Sequence, residues 1–384
     1  YNIVKYKAKL DYYKIIEGDL YMEKKLTLKE KIGQMIIVGM NGRAIDERIK
    51  NLILNYKIGG IILYRKNFQS YNEMLALISD LKKLNSVNKV PLFIAVDQEG
   101  GRVNRMPPEI NNIVSAYRLS KSKNINVIKE VGDITGEMLE KSGYNMNFSP
   151  VLDILSSQTT EGIGNRCFGE NSEDVSLYGV EIMKQLQKHN IISVIKHFPG
   201  QGFAKLDSHF LLPHIKKIDE DSVLPFKHAI NQGNDAIMVG HMIIKNISRI
   251  YPASLSRRMV KFIRTKYKFK GLIITDDLRM RSIRYIYGTK RAVKRAFLAG
   301  NDIVMFRYKQ KDEISAINNI IKLAEHGKIK TSRINNSVDR ILHIKEKYKI
   351  SDTKEIEKLD INIINNRIDM VNTFVKKQEK LSES

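Results

Sequence analysis

The sequence predicts an α/β fold, a (β/α)8 (TIM) barrel with a helical C-terminal extension, and three observations carry that expectation. Eight short apolar runs recur between about residues 34 and 306. Longer stretches with apolar residues at helical spacing separate them. The runs are apolar throughout instead of alternating, as parallel strands covered on both faces must be. A doubly wound open sheet is the competing arrangement. The 384 residues are 42% hydrophobic, which supplies a full core and excludes disorder as the main state. A single cysteine, Cys167, excludes an internal disulfide framework. No apolar run approaches the roughly 18 residues of a membrane helix.

In chain order the apolar runs are Gln34–Met40, Ile58–Tyr64, Pro91–Asp97, Asn145–Ile154, Ile192–Phe198, Ala236–Met242, Gly271–Leu278 and Ile303–Phe306. Helical patterns between them cover Ile45–Lys57, Tyr71–Leu84, Asn126–Gly143, Asp174–His189, Val223–Gly233, Ser256–Tyr267 and Thr289–Gly300. Gly143, Gly233 and Gly300 stand where helices end in a left-handed residue. Three further helical patterns follow, Glu313–His326, Arg333–Lys349 and the highly charged Lys354–Lys377, which is expected to pack outside the barrel. No Pro/Gly/Ser-rich linker divides the chain. The expected organisation is an N-terminal extension over residues 1–23, a barrel over 24–330 and a helical extension over 331–384. The first residue is Tyr1 and not Met, as in a processed or shortened chain, and residues 1–21 contain no apolar signal core.

The net charge is +23, from 65 Lys+Arg against 42 Asp+Glu. Such a balance favours anionic partners: nucleic acid, an acidic membrane surface or the anionic polymers of a cell wall. Residues 256–270 hold seven bases and no acid, with Arg257, Lys261, Arg264 and Lys268 opposite Met259, Val260 and Ile263. That spacing reads as a solvated outer helix face. No finger, RNA-binding aromatic set or basic zipper accompanies the charge, so specific nucleic-acid binding is not expected.

In a parallel barrel the reactive side chains gather where strands end. Here the third run ends at Asp97, the fourth near Asp153, the fifth at Lys196 and His197, the sixth at His241 and the seventh at Asp276 and Asp277. Charged groups finishing apolar strands are costly unless paired or used. Asp153 can serve as a loop hydrogen-bond acceptor, and His241 as a satisfied core histidine. Of the neighbours Asp276 and Asp277, alternation lets only one face the site. After the fifth run, Asp207 and His209 stand two apart on a polar loop, where the carboxylate can orient the imidazole for proton transfer. An Asp-x-His pair could also ligate a metal, but Lys196 and Arg166 would repel a cation.

These stretches together resemble family 3 glycoside hydrolases, in particular their single-domain β-N-acetylglucosaminidase (β-N-acetylhexosaminidase) branch. The matching segments are IGQMIIVG at 32–39, GGIILY at 59–64, VDQEGGRVNR at 96–105, NMNFSPVLDI at 145–154, GNRCFGEN at 164–171, IKHFPGQG at 195–202, LDSH at 206–209, PASLS at 252–256 and TDDLRM at 275–280. The resemblance implies a retaining mechanism through a covalent glycosyl-enzyme. By motif position, Asp276 is the nucleophile and His209 the general acid/base, oriented by Asp207. The imidazole on a loop replaces the second carboxylate of most glycosidases. Asp97, Arg105, Arg166, Lys196 and His197 match positions that hold sugar hydroxyls. The implied activity is exo-hydrolysis of terminal β-linked GlcNAc from peptidoglycan fragments such as GlcNAc-bearing muropeptides. Neither a metal nor an organic cofactor is implied. Departures from the family pattern are Gln201 where a second histidine is common, Cys167 where serine is common, and the apolar Phe203 and Ala204 in the loop. Three rival readings stay open: another β-glycosidase such as a glucosidase or xylosidase, a phosphorylase that uses phosphate in place of water, and an inactive wall-binding protein. A monomer is the simplest expectation. The basic surface leans toward the cell envelope, with the cytoplasm left open.

Overall fold

The computed structural model describes residues 25–156, 162–201, 212–306 and 310–383. The eight apolar runs become eight parallel strands of one sheet, ordered β10-β1-β2-β3-β4-β5-β7-β9. They are β1 (Ile36–Gly39), β2 (Gly60–Leu63), β3 (Phe93–Val96), β4 (Met146–Asn147), β5 (Ile192–Phe198), β7 (Ala236–Val239), β9 (Leu272–Thr275) and β10 (Val304–Phe306). A parallel bridge from Ile274 to Ile303 closes the sheet on itself. Closure excludes the doubly wound alternative, whose sheet keeps two free edges. Two short segments, β6 (His214–Ile215) and β8 (Ile243–Ile244), pair separately from the barrel. Every residue of the eight barrel strands is buried, which is why they read as continuous apolar runs.

Helices ring the barrel: α1 (Leu28–Gln34), α2 (Glu47–Leu54), α3 (Tyr71–Asn85), α4 (Ala116–Lys121), α5 (Ile125–Lys141), α6 (Ser172–Lys188), α7 (Glu220–Asn231), α8 (Arg257–Lys266), α9 (Arg281–Tyr287), α10 (Thr289–Ala299), α11 (Gln310–Glu325), α12 (Thr331–Lys347) and α13 (Ile361–Glu383). Their starts follow the sequence. Asp46, Ser70, Asn171 and Asp219 accept a backbone N–H from the first turn of α2, α3, α6 and α7. Thr27 and Glu30 close a reciprocal capping box on α1. Gly143, Gly233 and Gly300 follow their helices with φ of 84°, 90° and 104°, as the spacing predicts.

Four local differences have physical causes. The fourth run reads as ten strand residues but forms a strand over two, because its register with β5 slips between Asn147–Ser193 and the isolated bridge Val151–Lys196, at the segment that holds Pro150. The helices α1, α4 and α9 span six or seven residues, too few to show a period. The last helix starts at Ile361 and not near Lys354, since Asp360 accepts the Ile363 N–H at 3.1 Å and so marks its start. Arg264 does not lie on a solvated face. Its guanidinium turns inward to the buried Asp302 carboxylate and donates to the carbonyls of Phe269 and Gly271 at 2.9 and 2.7 Å.

The N-terminal end of the barrel is sealed by Lys345 of α12. Its ammonium donates to Gln34 Oε1 at 2.8 Å, the Gly59 carbonyl at 3.0 Å and the Pro91 carbonyl at 2.6 Å. The reactive end is the opposite one. Along the flank, Arg367 of α13 reaches Glu130, Asp133 and Glu137 of α5 at 2.7, 2.9 and 2.7 Å. No helix among the described residues is long and apolar enough to cross a membrane.

Candidate active site

At the C-terminal ends of the strands, a cavity of about 290 Å³ opens over the barrel axis. Asp97, Arg105, Arg166, Lys196, His197 and Asp276 all line it. Six of the eight residues singled out from sequence therefore meet in one place. The other two, Asp207 and His209, lie outside the described residues, as do Phe203 and Ala204.

β5 contributes two neighbouring polar side chains to the same cavity, which a regular strand would send to opposite faces. The pairing of β5 with β7 shifts register between Ile195 and Phe198. That irregularity re-aims the pair, as bulges beside functional sites do. Lys196, 2% exposed at its side chain, donates to Asp97 Oδ1 at 2.7 Å and Glu99 Oε1 at 2.6 Å. His197 Nδ1 donates to Asp153 Oδ2 at 2.7 Å. A carboxylate on Nδ1 fixes the tautomer and leaves Nε2 for a ligand. Asp153 is fully buried and also accepts the Gln201 N–H at 2.6 Å. It holds the imidazole and the turn after β5 instead of its own loop.

Glu99 is the residue the sequence reading missed. Arg166 grips it with a two-pronged fork, Nε and Nη2 at 2.7 and 2.8 Å. Burial alone would raise the Glu99 pKa, but Arg166 and Lys196 override it and hold the carboxylate well below its usual range. Burial likewise works against the Arg166 charge, and Glu99 more than restores it. A signal existed: two cations destined for a buried site demand an anion beyond Asp97. Arg105 has its backbone N–H on Gln98 Oε1 at 2.7 Å, while its guanidinium faces the cavity with no carboxylate partner among the described residues.

The two carboxylates after β9 differ in setting. Asp276 is half-buried, and its Oδ1 accepts the Asp277 N–H at 2.7 Å. Asp277 is 4% exposed; its Oδ1 accepts the Arg279 N–H at 2.9 Å. Both border the cavity, so strict alternation fails here because the strand has already ended at Thr275. His241 is a core histidine. It lies between Ser254 Oγ at 2.7 Å and the Asp277 carbonyl at 2.9 Å. Burial lowers its pKa against the opposing pull of Asp276, so the ring is neutral and anchors the Asp276–Asp277 turn. Cys167 is fully buried beside Val151 and Ile163, and burial raises its thiol well above the ordinary value. No group of three His, Cys, Asp or Glu side chains among the described residues is placed to hold a metal ion.

The loop carrying Arg102 and Arg105 is braced from α13. Asn372 accepts the Val114 N–H at 3.0 Å and donates to the Asn112 carbonyl at 2.9 Å. Asn365 treats Asn111 and Glu109 in the same way, at 2.8 Å each. The braced strip in turn holds Gly101, whose N–H donates to the Ile113 carbonyl at 2.7 Å and whose carbonyl accepts from Asn112 at 2.7 Å. Gly100 and Gly101 have φ of 83° and 55°, a left-handed pair that turns the chain back over the cavity. Each hydrogen bond of this kind contributes about 1 kcal/mol. Asn365→Ala combined with Asn372→Ala is expected to raise KM several-fold with kcat little changed in steady-state assays. An unchanged KM would show that the brace does not reach the cavity.

Residues 27–344 match the family model described as the glycosyl hydrolase family 3 N terminal domain. A β-hexosaminidase of Neisseria meningitidis serogroup C is 33% identical over 273 residues, covering 68% of this chain and 74% of that protein. The β-hexosaminidase LpqI of Mycobacterium tuberculosis is 28% identical over 331 residues, covering 83% of each. Among solved structures, a glycoside hydrolase family 3 β-N-acetylglucosaminidase from Paenibacillus sp. str. FPU-7 superposes with a TM-score of 0.87. It is 29% identical, with 91% of this chain and 69% of that one covered.

Proposed function

Because the chain belongs to glycosyl hydrolase family 3, and so to the glycoside hydrolases, we propose that it is a retaining exo-β-N-acetylglucosaminidase acting on terminal β-linked GlcNAc. The observation that carries this reading is the single cavity where Asp276 faces Asp97, Arg105, Arg166, Lys196 and His197. Its volume, about 290 Å³, is at the small end for ligand sites and suits one sugar at a chain end. The β-hexosaminidase and β-N-acetylglucosaminidase relatives support the choice of sugar.

In this reading the chemistry runs in two displacements. Asp97, Arg105 and the His197 Nε2 hold hydroxyls and fix the ring. The Asp276 carboxylate attacks the anomeric carbon, forming the C–O bond of a glycosyl-enzyme as the C–O bond to the aglycone breaks. His209, oriented by Asp207, gives its proton to the departing oxygen. It then takes a proton from the water that attacks the same carbon, which releases the sugar with its original configuration. Those two roles rest on the sequence motif alone.

The substrate source proposed is GlcNAc-bearing muropeptide. The test is release of 4-nitrophenol from the aryl β-GlcNAc beside the corresponding glucoside and xyloside, with the first sugar product read by NMR, with and without phosphate. The expected result is β-GlcNAc first formed, on the GlcNAc substrate, with no sugar 1-phosphate. A glucoside or xyloside preference would keep the barrel and overturn the substrate. A sugar 1-phosphate would overturn hydrolysis. Silence on all three, with binding to isolated walls, would favour the inactive wall-binding reading.

A further inference from the structure

The excess positive charge is concentrated in one sector of the barrel. Residues 245–295 contain sixteen Lys and Arg against two acids, Asp276 and Asp277, both of which border the cavity described above, and of the sixteen, Arg264 and Arg279 pair with Asp302 and Asp312 beyond the stretch. This stretch leaves β7 and runs through α8, β9 and α9 into α10. A groove of about 820 Å³ there is lined by Lys245, Arg249, Arg257, Arg258 and Arg295, and by no acid. None of the five pairs with a carboxylate among the described residues. Cations brought this close repel one another, and burying no counter-ion leaves that cost in place unless an anionic partner relieves it.

The same sector carries apolar tips. Ile250, Tyr285 and Ile286 are 69%, 73% and 55% exposed. The two segments that carry them are joined. The Tyr287 hydroxyl donates to the Ile250 carbonyl at 2.5 Å. The Tyr251 and Tyr287 rings pack with centroids 5.9 Å apart, and the Arg295 guanidinium lies 4.2 Å over Tyr251. Single exposed isoleucines are ordinary. Three large apolar side chains on two segments joined by Tyr287 and Tyr251, with Arg and Lys beside them, form an amphipathic surface of the kind that enters a lipid headgroup layer.

We propose that this sector docks the protein on an anionic phospholipid surface. Ile250, Tyr285 and Ile286 enter the headgroup region, and the Arg and Lys side chains around them meet lipid phosphates. A soluble anionic polymer would need the cations but would leave the apolar tips without use, so the lipid surface accounts for both features. The docking loops start at the C-terminal ends of β7 and β9, the end at which the cavity opens. Docking therefore holds the cavity mouth beside the membrane.

The test is co-flotation of the full chain with vesicles of phosphatidylcholine alone or with about 30 mol% phosphatidylglycerol. Binding to the anionic vesicles is expected to exceed that to the neutral ones at least ten-fold and to weaken as salt rises. Arg249→Gln with Arg257→Gln and Arg258→Gln, and separately Ile250→Ser with Tyr285→Ser and Ile286→Ser, are each expected to cut it several-fold with Tm unchanged. Equal or absent binding to both vesicles overturns the proposal. So does binding that ignores the apolar substitutions and is fully displaced by inorganic polyphosphate, which would mark a polyanion surface instead.

Discussion

Asp276→Asn is expected to lower kcat on an aryl β-N-acetylglucosaminide by about 10⁴-fold or more, the scale of losing a nucleophile, with little change in Tm. The position is fixed by backbone. β9 is fully buried, the Asp276 N–H donates to the Val239 carbonyl at 3.1 Å, and Leu278 N–H to the Met305 carbonyl at 3.1 Å. The side chain thus leaves a rigid sheet edge, and one carboxylate oxygen is further aimed by the Asp277 N–H at 2.7 Å. Asparagine keeps an oxygen for that N–H, so the turn survives while the charge proposed to attack is gone. Asp277→Asn is the internal control. Asp277 is buried, serves the Arg279 N–H through its side chain and His241 through its carbonyl, and its amide analogue can still accept. Its loss is expected to be far smaller. Asp276→Ala supplemented with azide should regain turnover and yield the α-glycosyl azide, since a small anion then attacks from the vacated side. Retention of more than a tenth of the activity in Asp276→Asn, with collapse in Asp277→Asn, would transfer the nucleophile to the neighbour.

The reach of the sequence follows from the same geometry. A strand buried on both faces must be apolar at every position, so each barrel strand announced itself, and polar residues at the ends of those runs marked the cavity. This is how Asp97, Lys196, His197 and Asp276 were legible one element at a time. The fourth strand misled because apolarity runs on without a break while the ladder with β5 stops after Asn147 and resumes only as a bridge from Val151 to Lys196. Glu99 was overlooked for another reason, since the need for a further anion did not say which residue would supply it. Glu99 lies three residues beyond its strand, in a glycine turn, and its meaning depends on Arg166, 67 residues further on, which only the closed barrel brings back to it. The inward turn of Arg264 is of the same kind: helical spacing placed it outside, and a buried Asp302 on another element drew it in. Periodicity reports burial of an element's face. It carries no information about which distant charge a long side chain will find.

Glu99→Gln tests that buried charge balance. Glu99 is the shared anion of two cations, Arg166 and Lys196, whose side chains are 10% and 2% exposed. Removing its charge leaves Lys196 with Asp97 alone and Arg166 with no ion-paired carboxylate among the described residues, and breaking a buried pair this way costs about 3–5 kcal/mol. Urea unfolding at neutral pH is expected to show a loss on that scale, and steady-state kinetics a raised KM as the two cations shift. The pH dependence separates a charge effect from a packing defect. In the folded chain the Glu99 carboxyl is held well below its ordinary value near 4.5. A group depressed on folding contributes its full stabilisation above the unfolded pKa and loses it as pH falls toward the folded one. The gap between wild type and Glu99→Gln should therefore stay constant from pH 8 down to about 5 and shrink below about 4.5. A gap as wide at pH 3 as at pH 7 would mean that glutamine merely packs badly, and that the Glu99 charge is not what holds Arg166 and Lys196 beside Asp97.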